Sequence, residues 1–539
     1  MSTQKEVLAK YGRAIVHMRQ QIAVNRFGLV LGAGASIDLG FPLWKTLVER
    51  IAEHDDVQGK DLVNNSGNTS ISQLLFQRFR QKLIEKITSK PYDLNRIEAD
   101  VLAGWQTIVH SALYRDVPSD VAKLLKRDEY LKNFIPVIKT TPLTINYNFD
   151  DSVQRMLLHT RSEDEKKEKR GFTTVWNANI QMFPRMGVIY HPNGFLPYSI
   201  RERPSEHLVF LEDSFADQLI NSMAGHYSAL SYHLTQATRL LIGLSLDDST
   251  LKHLLRQNAV LHPGHYHYYI AFVKDSTAVD KTIKECTVNA NFDVYNLVTL
   301  YLNAAEIGSL GTLLSMEKDD FRALAEEVGV ETSVRFLITG AVAAGKTTTV
   351  SQFRSLSTLD EWLEERPPGM EKDPSLATPD ELDKIDRFVV EQVALKNLRL
   401  LQASDGIFIV DRAPLDLFAF EGDRSKWKSK AKRILEAVAP GKATSRRLAE
   451  CHVIFLCGDP EVLAVRAKAN HRNTDSKKLT VQQDLLKGVY DRNDMRTSVI
   501  DTRNKTPSKV AKEIARILHL SKFEETPLHQ WLEEYANEP

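Results

Sequence analysis

The chain has 539 residues, in which 70 lysines and arginines balance 70 aspartates and glutamates, so its net charge argues against bulk attraction to nucleic acid or to an anionic membrane. Its three cysteines form no CxxC pair, which excludes a four-cysteine zinc ribbon and a disulfide framework and suits a reducing cytoplasm. One hydrophobic core stops growing at about 250–300 residues, so we expect two or more domains.

The beginning of the chain predicts a helix rather than a targeting segment. The first twenty residues are charged throughout and lack the apolar region of a secretory signal peptide. Apolar residues recur at helical spacing from Val7 to Ile22, which is typical of an amphipathic helix. No apolar run approaches the roughly 20 residues that cross a bilayer. We therefore expect a cytoplasmic protein with no membrane partner and no direct nucleic-acid partner.

A glycine-rich turn follows the first apolar run, at residues 27–36. The run fits a buried strand, and an apolar-periodic helix is predicted after the turn. The turn consists of Gly32, Ala33, Gly34, Ala35 and Ser36. Strand, glycine turn and helix form the layout of a dinucleotide-phosphate cradle, because glycine lets a phosphate approach the backbone N–H groups. An ordinary tight turn between a strand and a helix explains so short a pattern equally well.

The next polar strand end is predicted at residues 146–151. Residues 45–128 are mostly helical in pattern, either as a cap over a nucleotide site or as simple packing on the sheet. Residues 134–138 and 142–145 predict strands. Ligands bind at the carboxyl ends of strands in open α/β sheets, so we expect Asn146 or Asn148 to hold a ribose hydroxyl or a water. Asp150 and Asp151 are expected to cap the following helix.

Further strands are predicted at residues 187–191, 208–211, 240–243, 266–273 and 293–298. His191 and Asn193 stand at the end of the first of these. His191 can act as a base near neutral pH, or it can be a satisfied structural residue. Gly243, Ser245 and Asp248 repeat the pattern of a strand followed by a glycine. The alternation of strands and helices predicts a mainly parallel, doubly wound α/β sheet.

These motifs, in this order over about residues 20–310, resemble prokaryotic sirtuin-like NAD hydrolases of antiphage defence. The resemblance implies that the glycine turn holds the NAD pyrophosphate, that Gly243, Ser245 and Asp248 help to bind NAD, and that Asn148 works at the nicotinamide ribose with a histidine. Asn146 takes that role if the register is shifted by two residues. Sirtuin deacylases carry a four-cysteine zinc module, and this half has only Cys286, so NAD cleavage is favoured over deacylation.

The family usually has a histidine directly before the glycine of the third motif, where this chain has Asn193. Three alternatives follow. His191 takes the role of that histidine, catalysis relies mainly on Asn148, or the domain is weak or inactive.

The strongest motif of the chain begins after a strand predicted at residues 335–339. It is a full GxxxxGKT match in which the relevant residues are Gly340, Gly345, Lys346, Thr347 and Thr348. In such a loop the backbone N–H groups cradle phosphates, the lysine reaches the β and γ oxygens, and the first threonine can bind Mg²⁺.

Three further features accompany this loop. Asp411 and Arg412 end a strand predicted at residues 406–410, and a carboxylate there can bind Mg²⁺ or accept a hydroxyl proton. Arg466 and Arg472 form a lid that clamps phosphates, or a solvated basic face. Gln392 lies on a long predicted helix, and a last strand at residues 499–501 precedes a helix over 507–518.

Residues 334–520 resemble the deoxynucleoside and thymidylate kinase group, which implies that Gln392 reads a base and that ATP or a deoxynucleotide binds with Mg²⁺. We therefore predict two doubly wound parallel-sheet domains, at residues 1–315 and 334–520, with a connector at 316–333 and a tail at 521–539. The leading hypothesis is a NAD hydrolase controlled by a nucleotide-sensing domain. The alternatives are a kinase regulated by an NAD-binding domain and a pair of binding modules. The first resemblance also implies a homo-oligomer.

Overall fold

The computed structural model describes residues 2–538 except 66–70, 89–95, 165–170, 177–185, 200–203, 206–207, 212–213, 215–216, 218–233, 247, 276–278, 354, 371–376, 421–423, 440–446, 473 and 492–495. The chain divides into two compact units. The first comprises Met1–Tyr11, Gln21–Leu261 and Tyr266–Leu324. The second comprises Gly12–Gln20, His262–His265 and Ala325–Pro539. Each unit is built on one parallel sheet.

The first unit contains a seven-stranded sheet in the order β3-β4-β2-β1-β5-β6-β7, in which every pairing is parallel. Its strands are β1 (Phe27–Leu31), β2 (Leu143–Asn146), β3 (Gly171–Val175), β4 (Met186–Tyr190), β5 (Thr238–Ile242), β6 (His267–Phe272) and β7 (Leu297–Leu302). All residues of β1, β2 and β5 are buried, as expected of parallel strands that have helices on both faces.

The central strand of this sheet is β1, which lies between β2 and β5. Leu31 pairs with Asn146 on one side and with Ile242 on the other, so the three strands end at the same edge. The chain leaves β1 on the β2 side and later returns on the β5 side, which makes this edge the topological switch point of the sheet. Ligands of open α/β sheets bind at such a point.

Helices precede, link and follow the strands of this sheet along the chain, and the first and last of them extend into the second unit. Up to residue 328 they are Thr3–Ala23, Trp44–Ala52, Lys60–Asn65, Ile71–Thr88, Ile97–Tyr114, Val121–Arg127, Ile135–Thr140, Ser152–His159, Ser249–Leu261, Lys281–Tyr295, Ala304–Ser315 and Lys318–Val328. The helix Ser249–Leu261 packs Leu251, Leu254 and Leu255 on the sheet, because residues three and four apart share one helix face.

The second unit contains a five-stranded parallel sheet in the order β12-β11-β8-β10-β9. Its strands are β8 (Ser333–Gly340), β9 (Ser357–Leu359), β10 (Gly406–Asp411), β11 (His452–Cys457) and β12 (Thr497–Asp501). Its helices are Lys346–Val350, Pro379–Leu401, Trp427–Val438, Pro460–Ala469, Ser476–Tyr490, Pro507–His519 and Leu528–Asn537. The central strand β8 leads directly into the GxxxxGKT loop. The predicted α/β class with parallel sheets is confirmed.

Three strand predictions are wrong. Residues 135–140 form a helix instead of a strand, with Pro136 in its first turn, where a missing N–H costs nothing. Residues 208–211 form a turn, and their apolar character reflects the burial of Phe210 among Trp44, Trp105 and Phe149. The strand expected at 293–298 is β7, which begins only after Asn296 ends the preceding helix in a left-handed conformation.

The helices and the potential metal ligands bear on the predicted partners. None of the helices in the described part of the chain has the length and apolar character that a bilayer crossing requires. Among the same residues, no three or more histidine, cysteine or acidic side chains are grouped so that they could hold a metal ion.

Candidate functional site

A cavity of about 1270 Å³ opens at the switch point of the first sheet. Its lining includes residues from the loops after β1, β2, β4, β5 and β6. Among the residues singled out from the sequence, Gly32, Ala33, Gly34, Ser36, Asn148, Asn193, Gly243, Ser245 and Asp248 line it, and Ala35, Asn146 and His191 do not. The volume exceeds that of typical small-molecule pockets.

The glycine turn is held directly against the end of β5. Gly32 N donates to Ile242 O and Gly34 N donates to Gly243 O, each over 2.9 Å. Gly243 has a φ of +70°, and a Cβ there would lie 2.2 Å from Ala35 N. Only glycine permits this backbone conformation together with so close an approach. The two turns therefore pack backbone against backbone, and the N–H groups of Gly32 and Gly34 are donated to Ile242 O and Gly243 O.

Replacing Gly243 by alanine should destabilise the first unit by several kcal/mol, because the new Cβ meets backbone atoms and the left-handed conformation costs about 1–2 kcal/mol more. Calorimetry of the thermal transitions measures the effect. Gly171→Ala is the matched control, since a Cβ at Gly171 meets nothing within 4 Å. An unfolding midpoint for Gly243→Ala equal to that of Gly171→Ala would contradict the proposed packing.

Asn148 lies half-buried at the mouth of the glycine turn. Its side-chain Nδ2 donates to Gly32 O over 3.0 Å and to Ser36 Oγ over 3.4 Å. Its backbone N donates to Asn146 Oδ1 over 3.1 Å, and its carbonyl faces the Nδ1 of His191 at 2.8 Å. These bonds use both backbone groups and the amide nitrogen. The remaining polar atom, Oδ1, has no hydrogen-bond partner among the described residues and can serve a molecule in the cavity.

Asn146 and His191 are not part of the cavity lining. Asn146 is buried, and its Oδ1 is occupied by the backbone of Asn148. His191 is fully buried, and its Nε2 lies 2.8 Å from Gln154 Nε2. Both ring nitrogens of His191 thus face protein atoms, and burial lowers its pKa to about 4, partly opposed by the bond to Asn148. His191 does not line the cavity in this structure, and its role in catalysis stays a prediction.

The other predicted residues of this site have mixed roles. Asn193 lines the cavity, and its Nδ2 donates to Tyr147 O over 3.1 Å. Ser245 also lines the cavity. Asp248 lines it as well, but its Oδ1 accepts from Leu251 N over 2.7 Å and so caps a helix. Ala35 is buried and contributes its backbone to the turn.

Asp150 caps the helix after β2, as expected from the sequence. Its Oδ1 accepts from Ser152 N over 3.0 Å, and the side chain is buried at the cavity floor. Burial raises the pKa of this carboxyl to about 6, while its bonds to Ser152 act in the opposite direction. Because the pKa in the folded chain exceeds that in the unfolded chain, the favourable contribution of Asp150 to folding is complete only below the unfolded pKa of 3.8. That contribution is lost as the pH rises through about 6.

Replacing Asp150 by asparagine should therefore raise stability at about pH 7, on the order of 2–3 kcal/mol, and change it little at about pH 4. The asparagine Oδ1 can still accept the Ser152 N–H. Thermal unfolding at the two pH values measures the difference. Asp120 makes the same capping bond, to Ala122 N, on an exposed side chain. Asp120→Asn should show the same small effect at both pH values, and equal behaviour of the two variants would contradict the assignment.

One wall of the cavity is apolar and was not expected from the sequence. It includes Phe41, Trp44, Leu113 and Phe149, which come from the segments after β1 and β2 and from the helix Ile97–Tyr114. Tyr130 joins them and donates its hydroxyl to Gly34 O over 2.6 Å. Apolar residues at helical spacing predict burial, but they do not reveal which face borders a cavity.

The second unit has a separate site at the end of β8. Gly340, Ala343 and Gly345 have positive φ angles, which shape the GxxxxGKT loop. Lys346 is buried, and its Nζ donates to Gly340 O over 2.8 Å and to Ala341 O over 2.9 Å. Burial lowers the pKa of Lys346 to about 8, and the charge of Arg412 contributes in the same direction. Thr348 is exposed at the start of the loop's helix.

Thr347 and Asp411 are adjacent, as a Mg²⁺ site requires. Thr347 Oγ1 donates to Asp411 Oδ2 over 2.6 Å. The other carboxylate oxygen, Asp411 Oδ1, is buried and has no hydrogen-bond partner among the described residues. An orphaned buried carboxylate oxygen beside a P-loop threonine fits a hard cation with oxygen ligands. These two residues would hold Mg²⁺, which would neutralise charge on a bound polyphosphate.

Two residues that the sequence did not single out also lie at this site, Glu361 beside Arg412 and Lys396 beside the carbonyl of Asp411. Arg412 has a φ of +74°, and its Nε donates to Glu361 Oε1 over 2.6 Å. Burial acts to raise the pKa of Glu361, but the charge and the hydrogen bond of Arg412 outweigh it and lower that pKa. Lys396 Nζ donates to Asp411 O over 2.7 Å, and burial lowers its pKa to about 8. Three cationic side chains therefore surround Asp411.

Gln392 and the two lid arginines are placed differently from one another. Gln392 is buried, its Oε1 accepts from Leu363 N, and its Nε2 donates to Glu364, each over 2.8 Å. In this structure its amide therefore orders the segment after β9, and base reading stays a prediction. Arg472 is exposed and helps to lower the pKa of Glu361. Arg466 is half-buried in the helix Pro460–Ala469.

Comparisons with known proteins find one family match and several similar solved structures. A family profile described as a SIR2-like domain matches residues 142–295. This stretch contains Asn148, His191 and Gly243, and it begins after the glycine turn. A search of curated proteins finds no match.

Among solved structures, the chain is similar to thymidylate kinase from Candida albicans, at 16% identity and a TM-score of 0.26, covering 36% of this chain and 97% of that one. It is also similar to a gluconokinase from Sinorhizobium meliloti 1021, at 17% identity and a TM-score of 0.22, covering 35% of this chain and 93% of that one.

Proposed function

We propose that the first unit cleaves the nicotinamide–ribose bond of NAD⁺ with water. The observation that carries this proposal is the side chain of Asn148, whose amide nitrogen is tied to Gly32 O while Oδ1 remains for a ligand. The place of the cavity at the switch point of the sheet, with Gly32, Gly34 and Gly243 in its lining, supports it, because ligands of open α/β sheets bind there. The SIR2-like match over residues 142–295 is consistent with an activity on NAD.

The reaction is NAD⁺ plus water to nicotinamide, ADP-ribose and a proton. The bond between the ribose C1′ and the nicotinamide nitrogen breaks, and its electron pair leaves with nicotinamide. Positive charge then develops on the ribose as an oxocarbenium-like state. Asn148 Oδ1 accepts a hydrogen bond from a ribose hydroxyl or from the attacking water, which fixes the reacting geometry. The apolar wall of Phe41, Trp44 and Phe149 excludes bulk water from the leaving group.

We propose further that a nucleotide or deoxynucleotide in the second unit controls this reaction. The GxxxxGKT loop with Thr347 and Asp411 fits a polyphosphate and Mg²⁺, and a ligand shifts activity if it binds the active arrangement more tightly. In a cell infected by phage, nucleotide pools change, and depletion of NAD would then stop the infection. The resemblance to sirtuin-like NAD hydrolases of antiphage defence leads us to propose a homo-oligomer as the working protein.

The test is nicotinamide release from NAD⁺ by purified protein, with and without a panel of nucleoside mono-, di- and triphosphates and Mg²⁺. Release that depends on one nucleotide supports both parts of the proposal. Release without nucleotide dependence supports cleavage and contradicts the control. No release under any condition contradicts the proposed function.

A second candidate function is phosphorylation of a nucleoside or nucleotide by the second unit. The Arg412–Glu361 pair favours it, because a carboxylate beside a P-loop can accept a hydroxyl proton from a phosphoryl acceptor. Phosphorylated product with intact NAD in the same assay would support this function and contradict the first. Binding of nucleotide with neither product would identify the second unit as a binding module.

A further inference from the structure

Four hydrogen bonds hold the loop that carries Asn148. Tyr147 N donates to Leu31 O over 2.9 Å, so the loop continues the pairing of β2 with β1. Asn148 N donates to Asn146 Oδ1. On the far side, Phe149 O accepts from Leu196 N over 2.7 Å. The one remaining backbone group of Asn148 is its carbonyl, and it faces the His191 ring.

The tautomer of His191 follows from its two partners. A carbonyl oxygen can only accept a hydrogen bond, so the proton must be on Nδ1, which donates to Asn148 O over 2.8 Å. The Nε2 atom is then an acceptor, and Gln154 Nε2 is a donor placed 2.8 Å away. Gln154 Nε2 also lies 3.3 Å from Thr174 Oγ1. With the Gln154 amide in this orientation, which leaves its Oε1 buried and without a partner among the described residues, both partners fit the same neutral tautomer.

The His191 ring is itself rigidly held. Its backbone N donates to Val175 O over 2.8 Å at the end of β3, and its ring packs against Phe195 at a centroid distance of 4.8 Å. Gln154 lies in the helix Ser152–His159, directly after the loop that carries Asn148. The ring thus connects the ends of β3 and β4 with the Asn148 loop.

We propose that His191 is a positioning residue whose Nδ1–H holds the Asn148 carbonyl, so that Asn148 Oδ1 points into the cavity without any contact between His191 and the substrate. This inference rests on the proposed NAD cleavage. It assigns the chemistry to an amide oxygen and not to a histidine base. Burial lowers the pKa of His191 to about 4, which keeps the ring neutral and its single Nδ1–H in place at physiological pH.

Two substitutions of His191 separate positioning from base catalysis. The Nδ2 of an asparagine can take the place of the ring Nδ1, whereas a glutamine places its amide near the ring Nε2. His191→Asn therefore keeps a donor for Asn148 O, and His191→Gln removes it. We expect His191→Asn to retain kcat within about 5-fold and His191→Gln to lose about 100-fold in kcat with little change in KM, because the reacting geometry is lost while binding remains.

The alternatives give different results. If His191 were a base, both variants would lose kcat to the same large extent, which would overturn the inference. If it were merely structural, both would unfold at lower temperature and retain kcat per folded molecule, which would also overturn it. Unfolding midpoints are therefore measured for both variants, and kcat is normalised to folded protein.

A second measurement does not depend on NAD cleavage. In the full chain labelled with ¹⁵N-histidine, the ring signals that disappear in His191→Asn identify His191, and their shifts report the tautomer. We expect the Nδ1–H form at neutral pH. The Nε2–H form or the imidazolium would overturn the inference even in an active enzyme. Absence of nicotinamide release together with the Nδ1–H form would instead contradict the proposed function, and the assigned hydrogen bond would stand.

Discussion

Replacing Asn148 by alanine should reduce nicotinamide release from NAD⁺ by about 100-fold or more, because the substitution removes the only atom of this residue that is left for the substrate. The loss should fall on kcat, since the glycine turns and the apolar wall still bind NAD. The unfolding midpoint should change little, because Asn148 is half-buried and its backbone bonds to Asn146 and His191 remain. Release of nicotinamide and thermal unfolding are measured on the same preparation.

Asn148→Asp makes this prediction sharper. The variant is isosteric, but it replaces the amide nitrogen by a carboxylate oxygen 3.0 Å from Gly32 O. Two acceptors cannot bond, so the side chain turns away and should lose as much activity as the alanine variant. Asn289→Ala, on an exposed position of the helix Lys281–Tyr295, is the control and should retain full activity. An active Asn148→Asp would show that orientation by Gly32 is irrelevant.

The loops at the carboxyl ends of the strands could be predicted from the sequence better than the contacts of the buried residues. The glycine turn after β1 and the GxxxxGKT loop after β8 are local patterns, since a buried apolar run directly precedes each. The parallel order of the strands then brings Gly32 and Asn148 to one edge, because Leu31 pairs with Asn146. For this reason most of the residues singled out at the first site line one cavity.

The role of His191 could not be predicted in the same way. The residue lies 43 positions from Asn148 in the chain, and its partner Gln154 is an unremarkable helix residue in the sequence. Whether an imidazole faces a cavity or a carbonyl depends on the register of β4 against β2, where Ile145 pairs with Tyr190. The spacing of His191 and Asn193 left the alternatives open, and only the hydrogen bonds distinguish them.

Two residues of the second site, Glu361 and Lys396, were not singled out from the sequence, the first because it follows a short strand. The strand β9 has only three residues, too few for an alternating pattern to be recognised. Glu361 lies two residues after its end and was therefore overlooked as a strand-end carboxylate. Lys396 had a usable signal, because it lies four residues after Gln392 on the same face of a helix. A buried lysine and glutamine at this spacing indicate a polar site beneath the helix.

Replacing Lys346 by alanine should weaken binding of Mg²⁺–nucleotide to the second unit by about 100-fold, because a charge-assisted bond to a polyphosphate is lost. Lys346 is buried in the GxxxxGKT loop and, among the described residues, donates only to the carbonyls of Gly340 and Ala341. Its ammonium can therefore exchange these two acceptors for phosphate oxygens. Isothermal calorimetry with the activating nucleotide measures the change, and Lys522→Ala, on an exposed side chain, is the matched control.

The same variant decides how the two units are related in function. If nucleotide binding controls NAD cleavage, Lys346→Ala should abolish the nucleotide-dependent part of nicotinamide release and leave the release without nucleotide unchanged, since Asn148 and the glycine turns are untouched. Asp411→Asn should give the same result and should also remove the Mg²⁺ dependence, because it deprives the cation of a charged ligand beside Thr347. Full nucleotide stimulation in Lys346→Ala, with binding shown to be lost, would place the control outside the GxxxxGKT loop. Loss of phosphorylated product without any change in nicotinamide release would instead identify the second unit as an independent kinase.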